Sequence, residues 1–240
     1  FQALALVLRS SDKETSRQSG ISEPSFGDDF IIQDRTAFYE RQVYTYQATG
    51  AHAFDFGQGL SIDWRASFSD ASRDAPNQRD ATFVQEADGR FRNPLGSQGN
   101  DITFTRVDDE KEEYGIDFEL PVTVFGRDIE LKAGYAEQTQ NRVATSRGLS
   151  FVPTGAVPSE LFFQRIDTIF ADQNILSTRF SLQEFGGVTS PEGYRGELDI
   201  QAGYIGADAE LTPFLRAAVG VRFEDSQQTI DVFSVPFSGP

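Results

Sequence analysis

Apolar and polar residues alternate strictly along much of this chain. Leu60, Ile62, Trp64, Ala66 and Phe68 share one parity, while Ser61, Asp63, Arg65 and Ser67 share the other. A period of two sends successive side chains to opposite faces, so the pattern is that of a β-strand with one apolar and one polar face. The same rule sets Tyr114, Ile116, Phe118, Leu120 and Val122 against Gly115, Asp117, Glu119 and Pro121. It recurs with Ile129, Leu131, Ala133 and Tyr135 against Glu130, Lys132 and Gly134. It recurs again with Leu215, Ala217, Val219, Val221 and Phe223 against Arg216, Ala218, Gly220 and Arg222.

The connections alternate too. Phe56-Gly57-Gln58-Gly59, Phe125-Gly126-Arg127-Asp128 and Leu211-Thr212-Pro213 are short and join alternating segments, as hairpin turns do. Between the hairpins lie polar stretches, 18–37, 76–102 and 148–192, rich in turn-forming residues. The pattern predicts seven strands at 1–17, 38–55, 60–75, 102–124, 128–147, 194–211 and 215–232. In 194–211, Leu198, Ile200, Ala202 and Tyr204 share a parity on which Asp208 then falls, which predicts a bulge. In 1–17 neither parity is polar before Arg9.

Composition narrows the class. The chain has 240 residues, no cysteine, and a net charge of -16. The lack of cysteine excludes disulfides and thiol chemistry. The acidity argues against nucleic acid, whose binders need a basic stripe. No apolar run reaches the ~20 residues of a transmembrane helix. Only 38% of residues are hydrophobic, yet there are 22 phenylalanines and 7 tyrosines. Aromatics on a modestly apolar chain fit a strand wall that meets lipid.

A soluble sandwich also alternates, but its strands run about 5–6 residues, and a structureless loop of roughly 45 residues counts against a compact soluble domain. Long strands, tight turns at one end and long loops at the other form the layout of an outer-membrane barrel. The expected fold is therefore all-β, an antiparallel transmembrane β-barrel with short periplasmic turns and long extracellular loops. Seven antiparallel strands do not close a single-chain bacterial barrel, which needs an even number. The chain also starts in mid-strand at Phe1, without Met, and ends in loop-like 235–240. The expectation is an internal segment of a larger barrel.

On that reading, Tyr44, Tyr46, Trp64, Phe68, Tyr114, Phe118, Tyr135 and Phe223 face lipid or form the aromatic girdles. Tyr204 joins the upper girdle, while Phe54, Phe56, Phe125 and Phe214 mark the border at the tight turns. Asp63, Arg65, Asp117, Glu119, Glu130, Lys132, Arg216 and Arg222 line the lumen.

Three stretches carry a resemblance. Gly59 through Pro76, containing Ile62-Asp63-Trp64 and Ser72-Arg73-Asp74, is one; Tyr114 through Tyr135 is the second; Tyr204 through Glu224 is the third. Together they resemble the barrel of TonB-dependent receptors, particularly those of alphaproteobacteria, so that residues 1–240 read as part of such a barrel. The resemblance implies a 22-stranded barrel with a plugged lumen. It implies active import of a siderophore, cobalamin or saccharide across the outer membrane of a Gram-negative bacterium. Outer-membrane lipid, a small-molecule ligand and TonB are the implied partners. The plug and the TonB box that engage TonB in that family lie N-terminal to the barrel and are not found in this sequence. A passive pore and an exported structural or adhesive β protein are the alternatives.

No catalytic arrangement, cofactor motif or metal motif is present in the sequence, and an enzyme is not expected. The lone His52 reads as a polar residue near the membrane interface. The acidic run from Asp108 to Glu113 can offer oxygen ligands to a hard cation, but it lacks the EF-hand spacing and reads as a solvated strand extension. In the longest loop, Ser159 is expected to cap a helix from Leu161 to about Asn174. That helix packs on its own loop, or else sets Phe162, Phe163, Arg165 and Asp167 against a ligand at the extracellular mouth.

Overall fold

The computed structural model describes residues 1–22, 28–96, 99–185, 192–212 and 214–234. Residues 235–240 and Pro213, both invoked above, lie outside that set. The strands are β1 (Gln2–Ile21), β2 (Phe30–Phe54), β3 (Leu60–Gln85), β4 (Phe91–Arg92), β5 (Asn100–Val124), β6 (Arg127–Pro153), β7 (Phe180–Phe185), β8 (Gly193–Thr212) and β9 (Leu215–Phe233). They form one antiparallel sheet in the order β1-β2-β3-β5-β6-β8-β9, with β4 on β3 and β7 on β6. The sheet does not close on itself.

All seven expected strands are present, and they are longer than the alternation indicates. Much of 18–37 and 76–102 is strand rather than loop: β1 runs on to Ile21, β2 starts at Phe30 and β3 reaches Gln85. The ladders carry turn-forming residues because the interruption is taken up locally. Between Ala75 and Gln78 the register of β3 shifts against β5, and it shifts against β2 in the same region. Pro76 lies in this bulge, where a residue without an N–H costs no ladder bond.

Turn chemistry fixes the hairpins. Phe125 and Gly126 both have positive φ, 54° and 72°, and Val124 pairs with Arg127 around them. That is the two-residue geometry whose twist matches the flanking strands. Glycine meets the requirement without strain; phenylalanine does so only at a cost.

Registry then assigns the faces. Across β2 to β9 one row reads Gly50, Trp64, Ile116, Tyr135, Gly203, Phe223. A neighbouring row reads His52, Ile62, Phe118, Ala133, Ile205, Val221. This aromatic face is apolar for about nine residues per strand from the tight turns. At ~3.3 Å per residue that is an apolar belt of roughly 30 Å measured along the strands. Above it the same face turns acidic, with Asp70, Glu112, Glu137 and Asp225 as the next polar positions.

Strand β8 corrects the predicted bulge. Its register is unbroken from Gly193 to Glu210, so Asp208 is not displaced. Instead, the apolar parity changes at the belt's upper border. Leu198, Ile200 and Ala202 lie on the other face beside polar residues, and Gly203, Ile205, Ala207 and Ala209 carry the belt.

Candidate functional site

The eight charged residues expected on one side do share a face. Registry joins Asp63 to Asp117, Glu119 to Lys132, and Glu130 to Asp208, and sets Arg222 beside Tyr204. Asp117 on β5 is the hub of this ionic face. Arg65 Nη1 donates to Asp117 Oδ2 at 2.7 Å from β3, and Tyr204 OH donates to Oδ1 at 2.8 Å from β8. The carboxylate is thus held from both sides, across β6. Two glycines make the room. A Cβ on Gly134 would stand 2.3 Å from the Tyr204 ring and 2.5 Å from Asp117 Oδ1. A Cβ on Gly115 would meet the Arg65 guanidinium at 2.5 Å.

Nearer the turns, Lys132 Nζ bridges Glu119 at 3.0 Å and Glu130 at 3.2 Å. Arg216 forks onto Asp208 at 2.6 and 2.7 Å, the two-bond geometry in which guanidinium binds carboxylate best. Arg222 is paired with Glu224 at 2.7 Å. The arrangement is an ion-pair lattice running from β3 to β9, suited to hydration or to contact with a polar body, whereas on β1 the same face carries the exposed Leu4, Leu6 and Leu8.

Two members of this lattice escape the sequence reading. Tyr204 is not a girdle residue: it stands on the ionic face, bonded to Asp117. Asp208 is Arg216's partner rather than an intruder on an apolar face. The signal was available in Asp208 and Glu210, which share Tyr204's parity.

The aromatic face holds Tyr44, Tyr46, Trp64, Phe68, Tyr114, Phe118, Tyr135 and Phe223, as registry requires. Its two borders differ chemically. At the turn end, Phe56, Phe125 and Phe214 are 65%, 99% and 90% exposed, one at each tight connection. At the other end, the last apolar residue of a strand is a tyrosine that donates toward the acidic zone. Tyr114 OH reaches Glu112 at 3.1 Å and Tyr135 OH reaches Glu137 at 3.3 Å. Trp64 lies over Gly50, where a Cβ would be 2.4 Å from the indole nitrogen. Its N–H donates to His52 Nε2 at 3.1 Å, which assigns the histidine a structural partner.

The longest loop departs from expectation. A 3-10 turn spans Ser159–Phe163 and a helix, α1, spans only Ile166–Ile169, in place of one helix to Asn174. Ser159 caps nothing: Pro158 and Arg165 hold the N-cap positions, neither with a side-chain cap bond. The run ends because Phe170 leaves it to stack on Phe151, centroids 4.7 Å apart. Ile169, Leu95 and Phe180 form a small core, with Phe83, Phe151, Phe162 and Phe170 packed against it. Burial raises the Asp101 carboxyl above the usual aspartate range; Ser150 donates to it at 2.8 Å.

Phe162 therefore belongs to the loop's own core, and its carbonyl accepts from the Asn93 N–H at 2.9 Å. Phe163 lies under the Arg90 guanidinium at 3.9 Å. Arg165 and Asp167 are exposed and paired with each other at 3.2 Å. Phe163, Arg165 and Asp167 border a groove of about 470 Å³ with Arg17, Ile32 and Asp34. Registry through Ile32–Phe83, and along β6 to Phe151, puts this groove on the aromatic side of the sheet. The four residues thus sit over the side of the sheet away from Asp117. The acidic run is engaged in ion pairs, Asp108 with Arg106 along β5 and Asp109 with Arg142 across to β6. Among the described residues no group of three can hold a metal ion.

Comparison with known protein families, characterised proteins and solved structures gives no match for this chain.

Proposed function

We propose that this chain forms part of the wall of an outer-membrane β-barrel that imports a scarce nutrient actively. The observation that carries the membrane reading is the aromatic face. It has a belt that spans roughly 23 Å at the ~40° tilt of barrel strands, close to the ~25 Å band of an outer-membrane barrel, phenylalanines exposed at each turn, and tyrosines that reach from its upper border to carboxylates. A soluble sheet covers such a face with a second layer, because contiguous apolar patches of this size are rare on soluble surfaces. Lipid needs no such layer, and interfacial aromatics with one wet end are what a bilayer border selects.

Two long edges bear on the wall's extent. β1 and β9 run in the same direction, since six antiparallel steps separate them. Joining them directly, or ringing identical copies, makes a parallel seam. An antiparallel seam requires an odd number of further strands, and unpaired edges are not tolerated in hydrocarbon.

Active import, rather than passive passage, rests on the resemblance of Gly59–Pro76, Tyr114–Tyr135 and Tyr204–Glu224 to TonB-dependent receptors. The ionic lattice is compatible with it as a wall against a polar plug. Planar-bilayer recording on the full-length protein separates the two. An importer is expected to show no steady conductance and to lose uptake when the energy supply is uncoupled; steady ohmic conductance establishes the passive pore instead.

A further inference from the structure

The chain's one histidine and its one tryptophan meet on the aromatic face, near the tight turns. Registry sets Trp64 opposite Gly50 and His52 opposite Ile62, so the two side chains are diagonal neighbours across β2 and β3. A Cβ on Gly50 would lie 2.4, 2.5 and 2.8 Å from three atoms of the indole, so the ring is seated on the Gly50 backbone. From that seat its N–H donates to His52 Nε2 at 3.1 Å. The ring's other neighbours are apolar: Phe1 stands 5.9 Å away, and Ile116 is its partner on β5.

That bond exists in one protonation state only. A neutral imidazole carries one N–H and one acceptor nitrogen, whereas an imidazolium carries two N–H groups and no acceptor. With Nε2 accepting, the proton is on Nδ1; a second proton on Nε2 sets two donors face to face. Nothing on this face holds the resulting charge in place. Around His52, β1 presents Phe1, β2 presents Gly50 and Phe54, β3 presents Leu60, Ile62 and Trp64, and β5 presents Ile116 and Phe118, none with a titratable side chain. Asp63 and Arg65 belong to the ionic face, and Asp55 lies past the end of β2 in the turn. In hydrocarbon an unpaired N–H and a bare charge are both costly. His52 is two residues, about 7 Å, from Phe54 at the turn border. That is close enough for a charged ring to reach water, as amphipathic side chains do.

We propose that His52 and Trp64 form a proton-operated latch at the turn end of the β2–β3 hairpin. Neutral His52 keeps the indole seated on Gly50 within the belt. Protonated His52 moves to the turn border, and the indole, left without an acceptor, leaves its seat and turns its N–H to the same border. The anchoring of this hairpin in the bilayer thereby follows the acidity on the turn side. The proposal rests on the membrane reading above, since in water both rings find other partners.

The test uses the full-length protein in liposomes, with W64F as the blank, so that the difference spectrum is that of Trp64 alone. Emission and its quenching by brominated acyl chains are read from about pH 8 to about pH 5, the range in which histidine changes charge. At the upper end Trp64 is expected to emit at short wavelength and to be quenched by the chains. Toward the lower end its emission is expected to move to longer wavelength and most of the quenching to be lost, reversibly. H52Q keeps an acceptor and cannot titrate, and it is expected to hold the seated signal throughout. A Trp64 signal that is independent of pH in the parent, or an H52Q response equal to the parent's, overturns the latch. Quenching at the upper end separates the two levels. Where it is present, either result removes the latch and leaves the membrane reading; no quenching at any pH removes both.

Discussion

At the scale of the residue, strain and close approach mark where this sheet is specified. Phe125 holds φ 54° and is 99% exposed, so neither backbone preference nor packing within the chain explains a phenylalanine there. The left-handed conformation costs an ordinary residue about 1 kcal/mol, and asparagine tolerates it better. Phe125→Asn is therefore expected to raise the stability of the detergent-solubilised protein by up to about 1 kcal/mol. The same variant is expected to slow insertion into liposomes, which follows if the ring anchors the turn at the interface. Gly134 poses the opposite constraint, since any side chain there strikes Tyr204 and Asp117. Gly134→Ala is expected to cost about 1–3 kcal/mol, as overpacking does. A Tyr204→Phe background, which removes the hydrogen bond but not the ring, should leave most of that cost in place.

At the scale of the element, alternation made the strands legible, because a face that meets one medium all along must repeat every second residue. It made β3 legible from Leu60 to Ala75 and no further. Beyond Pro76 both faces are polar or covered, and the bulge inverts the parity. Strand β8 was legible in extent but not in facing, since its apolar residues hold one parity through Leu198, Ile200 and Ala202 and the other through Gly203, Ile205, Ala207 and Ala209. The loop helix was misread for a different reason. Helical spacing of Leu161, Phe162, Arg165 and Ile169 is also produced by a few turns wrapped on a local core, and a four-residue helix has no propensity of its own. That core gives the loop its order. Ile169 is fully buried. Ile169→Ala should cost about 2–4 kcal/mol of local stability. The expected readout is faster proteolysis between 154 and 179 with an unchanged far-UV strand signal.

At the scale of the whole molecule, the two faces differ in chemistry from β3 to β9. The ionic face is held by pairs that water or a polar partner tolerates. The aromatic face changes from phenylalanine tips to aliphatic belt to tyrosine and acid, in that order along the strands. The eight charged positions and the eight aromatic ones were separable in the sequence because parity alone decides between faces. Their pairing was not, because Arg65, Asp117 and Tyr204 come from three strands brought together only by register. The net charge of -16 has a place in this picture, since acids crowd the strand ends beyond the belt on both faces.

The central claim is that lipid covers the aromatic face, and the chain's lack of cysteine makes a labelling scan of it clean. Single cysteines from Tyr114 to Val122, spin-labelled in the full-length protein in liposomes, would be read for collisions with oxygen and with a water-soluble nickel complex. The account predicts a period of two: oxygen reaches positions 114, 116, 118, 120 and 122, while the nickel complex is favoured at 115, 117, 119 and 121. Low oxygen accessibility at the even positions, the sign of burial inside protein, would contradict it.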